Sequence, residues 1–402
     1  MTTTTEVRPA RTTTRFGPAV LALAVGGFAI GTTEFVTMGL LPQISEGVGV
    51  SIPQAGHVIS AYALGVVVGA PLLAFFGAKW PRRGLLVVLM AAYAVFNALS
   101  AVATSFEMLV AARFLDGLPH GGYFGVASLV AASMVAPERR GRAMAWVLLG
   151  LPVANVVGVP AATVLGQHLG WRASYWLVAA LAALTMALVV AFVPACPGNP
   201  EATGRRELSA LAKPQVWLTM VAGAIGFGGM FALFSYIAPA VTEVSGLSAS
   251  AVAVFLLTLG VGMVAGNWVA GHLVDRSVLG SLLGSTIGLA VVLLGFWAVA
   301  PYGWMALPAA FAVTFVGSVL ALSMMLRLID VAGHAETLGA AMSHSSLNVG
   351  NALGAWLGGL VIAWGFGFRA PILVGVALAL AGFVVVLASA RSQARQGTNS
   401  SM

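Results

Sequence analysis

Four residues are out of keeping with their surroundings and could carry chemistry: Glu34, Arg113, Asp116 and His120. Glu34 sits in GTTEFVTMGLLPQIS (31–45), and the other three share LVAARFLDGLPHGGYFGVASLV (109–130). Both stretches are apolar enough for a bilayer, where an ionisable group is costly and normally faces a polar cavity or a partner. The i, i+3, i+7 spacing sets Arg113, Asp116 and His120 near one helix face, and Gly117, Gly121, Gly122 and Gly125 allow close packing beside it. A carboxylate there can exchange a proton or hold a cation, a guanidinium can tune it, and an imidazole titrates in the physiological range. A charged, glycine-smoothed face inside an apolar protein suggests a transport pathway.

The elements that must position these groups are membrane helices. Of 402 residues, 59% are apolar and 8% charged, against about 25% charged in a soluble domain. Spanning takes about 20 apolar residues, and twelve segments qualify, near 17–41, 54–76, 84–104, 108–134, 142–165, 172–194, 215–240, 249–273, 279–300, 304–327, 338–363 and 368–390. The expectation is an all-α integral membrane protein of two pseudo-symmetric six-helix halves with both termini cytoplasmic. Residues 1–15 read as a disordered cytoplasmic tail, 16–194 as the first half, 195–214 as a charged, Pro/Gly-containing cytoplasmic linker, 215–390 as the second half and 391–402 as a cytoplasmic tail. With that topology sixteen Lys and Arg residues fall inside, Arg172 and Arg369 outside and Arg113 in the membrane, a clear positive-inside bias. The first helix follows a basic segment but no small-residue cleavage site follows it, so it reads as a span and not a leader.

The net charge of +7 comes from scattered clusters between apolar runs, which act as topology determinants and do not point to nucleic acid. The single cysteine, Cys196, excludes a disulfide framework and any multi-cysteine metal site. No GxxxxGK[ST] loop is present, so a pump of this sequence would draw on an ion gradient or a separate partner, with no cofactor and no metal. His120 and His344 have no carboxylate at ligand spacing, which argues against a membrane-embedded enzyme; a scaffold would carry an added soluble domain.

An internal repeat supports two halves. A shift of 197 places Gly69 on Gly266, Ala78 on Asp275, Lys79 on Arg276 and Arg172 on Arg369; a shift of 196 places Asn155 on Asn351 and Gly158 on Gly354. Parallel repeats around a midplane site are one known transporter plan.

Several stretches resemble the motifs of the major facilitator superfamily, specifically its twelve-helix drug:H⁺ antiporter family and the arabinose-efflux-like and chloramphenicol-efflux-like branch. The resemblance covers roughly residues 16–390. It is carried by GTTEFVTMGLLPQIS (31–45), GAPLLAFFGAKWPRRG (69–84) at the place of the GxLaDrxGrk signature, RFLDG (113–117), GLPVANVVGVP (150–160), GWR (170–172) and SLNVGNALGAWLGG (346–359). It implies alternating access and a cytoplasmic gate built from Lys79, Arg82, Arg83, Asp275 and Arg276. It also implies an antiporter motif, Gly150, Pro152, Asn155, Gly158 and Pro160, that seals against leak. One departure stands out: Ala78 replaces the signature's aspartate, which leaves that role to Asp275.

Glu34 lies roughly 10 Å below the outer end of the first helix, at 1.5 Å per residue. If helices 1 and 4 are neighbours, it could meet Arg113 or Asp116. It is read either as a proton carrier or as a member of a static ion pair; Asp116 is either a second protonation site or a permanent partner of Arg113. His120 is a cavity candidate or a hydrogen-bonded packing residue. Tyr62, Asn155, Phe231, Phe234, Tyr236, His344, Asn348 and Asn351 complete the candidate substrate cavity, although aromatic residues in membrane helices are more often lipid-facing or core. Few charges line it, which favours a neutral or cationic cargo. The leading expectation is a monomeric exporter of a small, moderately hydrophobic drug or antibiotic in exchange for protons, in the inner membrane of a bacterium. Export of a sugar, amino acid or nucleoside by the same machinery is the alternative.

Overall fold

A computed structural model describes residues 16–77, 79–196, 213–332 and 336–399. Ala78, the expected tail at 1–15 and residues 197–212 of the expected linker lie outside them. The described residues are helical almost throughout: α1 (Phe16–Gly39), α2 (Leu41–Val48), α3 (Ile52–Gly77), α4 (Arg82–Ala101) and α5 (Phe106–Ser133) come first. Then follow α6 (Arg140–Leu148), α7 (Gly150–Val153), α8 (Val159–Leu169), α9 (Trp171–Phe192), α10 (Pro214–Phe234) and α11 (Ile237–Pro239). The last are α12 (Ala249–Arg276), α13 (Val278–Val299), α14 (Leu307–Ala332), α15 (Glu336–Val361) and α16 (Ala370–Asn399). Ten helices among the described residues are long and apolar enough to cross a membrane. One of them, Val278–Ala332, is α13 and α14 together, broken where Tyr302 and Gly303 leave helical geometry. α5 is long enough but carries Glu107, Arg113 and Asp116 and is not among the ten.

Boundaries follow local chemistry. Ser105 begins α5 by accepting a hydrogen bond from the Met108 amide, and Ser277 does the same for Gly280 at the start of α13. The first helix stops at Gly39, where the sequence reading ran it to 41, and a short α2 with Pro42 in its first turn takes over. α16 continues through Asn399, past the expected end of the last span at 390.

The packing repeats itself along the chain. A Cβ at Gly65 or Gly69 of α3 would strike the backbone carbonyls of Phe114 and Leu118 in α5. A Cβ at Gly262 or Gly266 of α12 would strike those of Phe311 and Phe315 in α14, 197 positions on in every case. Only glycine allows helix backbones this close. The arginines repeat too: Arg172 Nη2 donates to Ala103 O beyond the end of α4 (2.9 Å), and Arg369 donates to Trp297 O in the last turn of α13 (2.6 and 2.9 Å). In both, a cation meets the carbonyl-rich end of a helix, where the dipole favours it.

Between these repeating sets runs a seam. On one side α3 packs along α15, with Ser60 Oγ donating to Ala352 O at 3.2 Å. On the other, α8 meets α12, with Gln167 Nε2 donating to Ala249 O at 2.8 Å. The largest apolar cluster straddles the seam, joining Phe35, Met38, Leu41, Ile59 and Val159 to Phe227, Phe231, Phe234 and Leu256.

Candidate functional site

Arg113 is wholly buried, met by α1, α3 and α9 and by a residue of its own helix. Its Nη1 donates to Asp116 Oδ2 one turn along α5 at 2.5 Å, and its Nη2 donates to the carbonyl of Thr33 in α1 at 3.2 Å. Asp116 Oδ1 accepts from Asn97 Nδ2 of α4 at 2.7 Å, and Asn97 Oδ1 accepts from Thr33 Oγ1 at 2.6 Å. The hydrogen bonds therefore close a ring, Thr33–Asn97–Asp116–Arg113–Thr33, across α1, α4 and α5. Its guanidinium carbon lies 4.1 Å from the centre of the Tyr62 ring in α3 and 5.4 Å from that of Tyr175 in α9. Tyr175 in turn bonds Thr37 (2.9 Å), and Tyr62 bonds Tyr93 (3.1 Å) and His120 Nδ1 (2.9 Å). A buried ion pair relies on its remaining donors and acceptors being satisfied; here Asp116 has both oxygens engaged, while Arg113 Nε has no hydrogen-bond partner among the described residues.

Glu34 differs. It is only 6% exposed, next to the ring residue Thr33, yet it makes no hydrogen bond and no ion pair among the described residues. Arg113, the charged group whose field reaches it, is committed to Asp116. The meeting of Glu34 with Arg113 or Asp116 that the sequence left open is thus made within α5 instead, by residues three apart. Asn97, Thr33, Tyr93 and Tyr175 escaped the sequence reading. An asparagine inside an apolar run was the available signal, since a buried amide needs a partner.

Phe35, one residue beyond Glu34, crosses the seam. Its ring stacks on Phe234 (5.1 Å between centroids) and Phe231 (6.3 Å), and Phe227 meets Phe231 edge-on at 5.3 Å. The predicted aromatics Phe231 and Phe234 are thus gathered beside the predicted carboxylate, with Phe35 as a member the sequence did not single out. Tyr236 is spent differently: its hydroxyl donates to Ala355 O (2.7 Å) and fills the space a Cβ at Gly56 would need, so it ties α10's end to α15 and α3.

Nearer the other end of the seam, the His120 ring meets Phe124 edge-on at 5.5 Å, and Phe124 stacks on His344 of α15 at 6.1 Å with planes 5° apart. Asn348 and Asn351 follow His344 on the same helix. Asn348 Nδ2 donates to His344 O, but among the described residues its Oδ1 has no partner; Asn351 is 0% exposed and neither of its amide atoms is partnered among them.

The Gly150–Pro160 segment breaks into α7, a π-turn over Ala154–Gly158, and α8. Pro160 has no N–H to give Val156, so the regular ladder cannot continue through it. Asn155 Nδ2 covers the Leu151 carbonyl at 3.1 Å. A Cβ on Gly150 would strike the Ala24 carbonyl, and one on Gly158 would strike Thr32 Oγ1, both on α1. The Asn155 carbonyl lies against Gly260 of α12. The segment is therefore held between α1 and the facing half, where π-turns commonly mark function.

Of the expected gate residues, Arg83 Nη2 reaches Val190 O near the end of α9 (2.5 Å), and the Arg82 amide donates to Cys196 O (3.0 Å). Lys79, Asp275 and Arg276 are exposed, and none forms an ion pair among the described residues.

Comparison with known proteins agrees with the architecture. Residues 23–345 match the model of the Major Facilitator Superfamily. The inner membrane transport protein YdhP of Escherichia coli O157:H7 is 40% identical over 93% of this chain and 96% of its own. The putative transporter AraJ of Escherichia coli K12 is 34% identical, over 94% and 97%. A chloramphenicol resistance protein of Streptomyces lividans is 36% identical, over 89% and 94%. The solved structure of the nucleoside transporter NupG superposes with a TM-score of 0.72 at 13% identity, covering 92% of this chain and 99% of that one, which speaks for the fold. The chain belongs to the Major Facilitator Superfamily of membrane transporters.

Proposed function

We propose that this protein is a proton-coupled exporter of a small, moderately hydrophobic compound of the drug or antibiotic kind. In this reading twelve helices cross the bacterial inner membrane: the ten apolar ones, with Val278–Ala332 counted as two, and α5. Both termini are cytoplasmic, and a monomer suffices. One half rocks against the other about the seam, so that the aromatic cluster around Phe35 opens first to one side and then to the other.

The observation that carries the proposal is the contrast between two buried carboxylates. Asp116 is paired with Arg113 and held in a closed ring with both oxygens engaged. Glu34 has no such partner among the described residues. An unpartnered carboxylate in an apolar seam is costly as an anion, and water reaching the seam, a proton or a cation relieves that cost. Glu34 is therefore the coupling group: it binds a proton from outside, and cargo seated against Phe35 competes with that proton when the seam opens inward. Arg113 stays as a fixed field beside it. The S. lividans relative's name as a resistance protein supports the cargo class.

The test uses purified protein in proteoliposomes with an imposed pH gradient and a panel of neutral and cationic antibiotics, sugars and nucleosides. Antibiotic-evoked proton movement, absent in Glu34→Gln, is the expected outcome. Proton movement evoked only by a sugar or nucleoside moves the cargo to that class, and flux indifferent to the gradient in the wild type refutes coupling.

A further inference from the structure

The seam holds a polar device that the coupling scheme does not use. On α15 the residues His344, Asn348, Asn351 and Ala355 recur at i, i+4, i+7 and i+11, a narrow arc of one helix face. Neighbours on both flanks fix where that arc points. On one flank Ser60 of α3 bonds the Ala352 carbonyl; on the other, Gly354 sits against the Gly228 carbonyl of α10. The arc between them fronts the seam. Its two ends confirm this: the His344 ring lies flat on Phe124 of the facing half, and Ala355 belongs to the apolar cluster that contains Phe35, Phe231 and Phe234.

Between those ends Asn351 is completely buried, and among the described residues both its amide nitrogen and its amide oxygen are unpartnered, as is Asn348 Oδ1. Nearly all buried polar groups in proteins are paired, and each exception calls for an explanation. Leaving a buried donor or acceptor unmade costs about 1–3 kcal/mol, so three on one arc of a helix is a substantial penalty for a merely structural device. A leucine of similar size would avoid it.

We infer that Asn351 and Asn348 are the cargo's hydrogen-bonding site, and that the cargo is a neutral aromatic molecule bearing a hydroxyl or amide. The carboxamide of Asn351 presents one donor and one acceptor edge, which an amide or hydroxyl answers with one acceptor and one donor. Asn348 Oδ1 accepts a second O–H or N–H. The ring of such a molecule has Phe35, Phe231 and Phe234 to stack on. Neutrality follows because Arg113 and Asp116 cancel each other and Glu34 is reserved for the proton. This rests on the proposed export function, in that the seam is taken as the cargo path. It adds the cargo's chemistry, and selectivity arises because a cargo lacking these groups leaves the amides unmade.

The experiment is equilibrium binding to the detergent-purified full-length protein, which needs no proton gradient and so separates this inference from the coupling scheme. The probes are chloramphenicol, N-benzylacetamide and 4-nitrobenzyl alcohol, with 4-nitrotoluene as the ring lacking any donor. Saturable wild-type binding of at least one hydroxyl- or amide-bearing probe is expected, weaker by about tenfold or more in Asn351→Leu and less so in Asn348→Leu, as one or two lost hydrogen bonds imply. 4-Nitrotoluene should bind no worse to Asn351→Leu than to wild type. Thermal stability of Asn351→Leu should match or exceed wild type, because neither of its amide atoms has a partner to lose among the described residues; Asn348→Leu also gives up its bond to the His344 carbonyl and carries no such expectation. Failure of all three probes to bind overturns the cargo class. Unchanged affinity in Asn351→Leu, or a variant that is destabilised with affinity intact, overturns the site. Loss of coupling in Glu34→Gln with or without these results is read separately.

Discussion

Replacing the two members of the buried pair singly and together is the sharpest test of how the first half is built. Arg113→Met leaves Asp116 wholly buried with only Asn97 to answer it; Asp116→Leu leaves the guanidinium with the Thr33 carbonyl and the Tyr62 face. Stranding one charge of a buried pair costs about 3–5 kcal/mol. The double variant strands neither: Asn97 keeps the Tyr93 carbonyl and the Thr33 hydroxyl, so its amide loses one bond. That bond and the cation–π contact together are worth about 1–3 kcal/mol. The single costs sum to roughly 6–10 kcal/mol, so the cycle should show a non-additivity of at least about 3 kcal/mol. Equilibrium unfolding by sodium dodecyl sulfate in mixed micelles, followed by tryptophan fluorescence, gives the three differences. The competing expectation is also quantitative: hydrogen bonds between membrane helices average about 0.6 kcal/mol. Single variants that cost no more than this, or costs that simply add, would refute the ring as the organising element of the half.

Four further outcomes follow from the same geometry. Glu34→Gln removes no hydrogen bond or ion pair, so its unfolding midpoint should match the wild type's within about 1 kcal/mol while cargo-driven proton movement disappears; a strongly destabilised Glu34→Gln would reveal a structural partner. Gly69→Ala and Gly266→Ala put a methyl against equivalent carbonyls, and each should cost about 1–3 kcal/mol in the same unfolding assay. A cost at one site and none at the other would break the packing symmetry. Pro160→Ala returns a donor to the Val156 carbonyl, and the straightened helix should be more stable but slower in proteoliposome flux. Equal turnover with greater stability would deny the π-turn a role in the cycle. Asn97→Ala frees Asp116 Oδ1 and Thr33 Oγ1 and should destabilise by about 1–3 kcal/mol.

Much of this was legible in the sequence, for identifiable reasons. The superfamily could be read because RFLDG, GLPVANVVGVP and SLNVGNALGAWLGG place small and charged residues where close helix packing demands them, and long apolar runs announce an all-helical membrane fold. Arg113 and Asp116 stood out because charge inside an apolar run is rare. Their partners did not: Thr33 comes from α1 and Asn97 from α4, and no spacing within one helix reveals a ring closed across three. The break of α1 at Gly39 was hidden because Leu40 and Leu41 continue the apolar run, and the turn depends on Pro42 and on packing. Phe35 looked like any lipid-facing phenylalanine, since only the seam distinguishes it. The unpartnered state of Asn351 was invisible in principle, because a sequence shows which groups can bond but not which are left over.

The central claim is that one carboxylate, Glu34, exchanges its proton against cargo, and the most direct measurement counts that proton. A cargo identified by the flux panel is added to detergent-solubilised protein in weakly buffered solution containing a pH indicator. Wild type and Asp116→Asn should each release a proton on saturation, and Glu34→Gln should release none while still binding. Release that persists in Glu34→Gln, or cargo binding by the wild type with no proton released across the physiological pH range, would contradict the account.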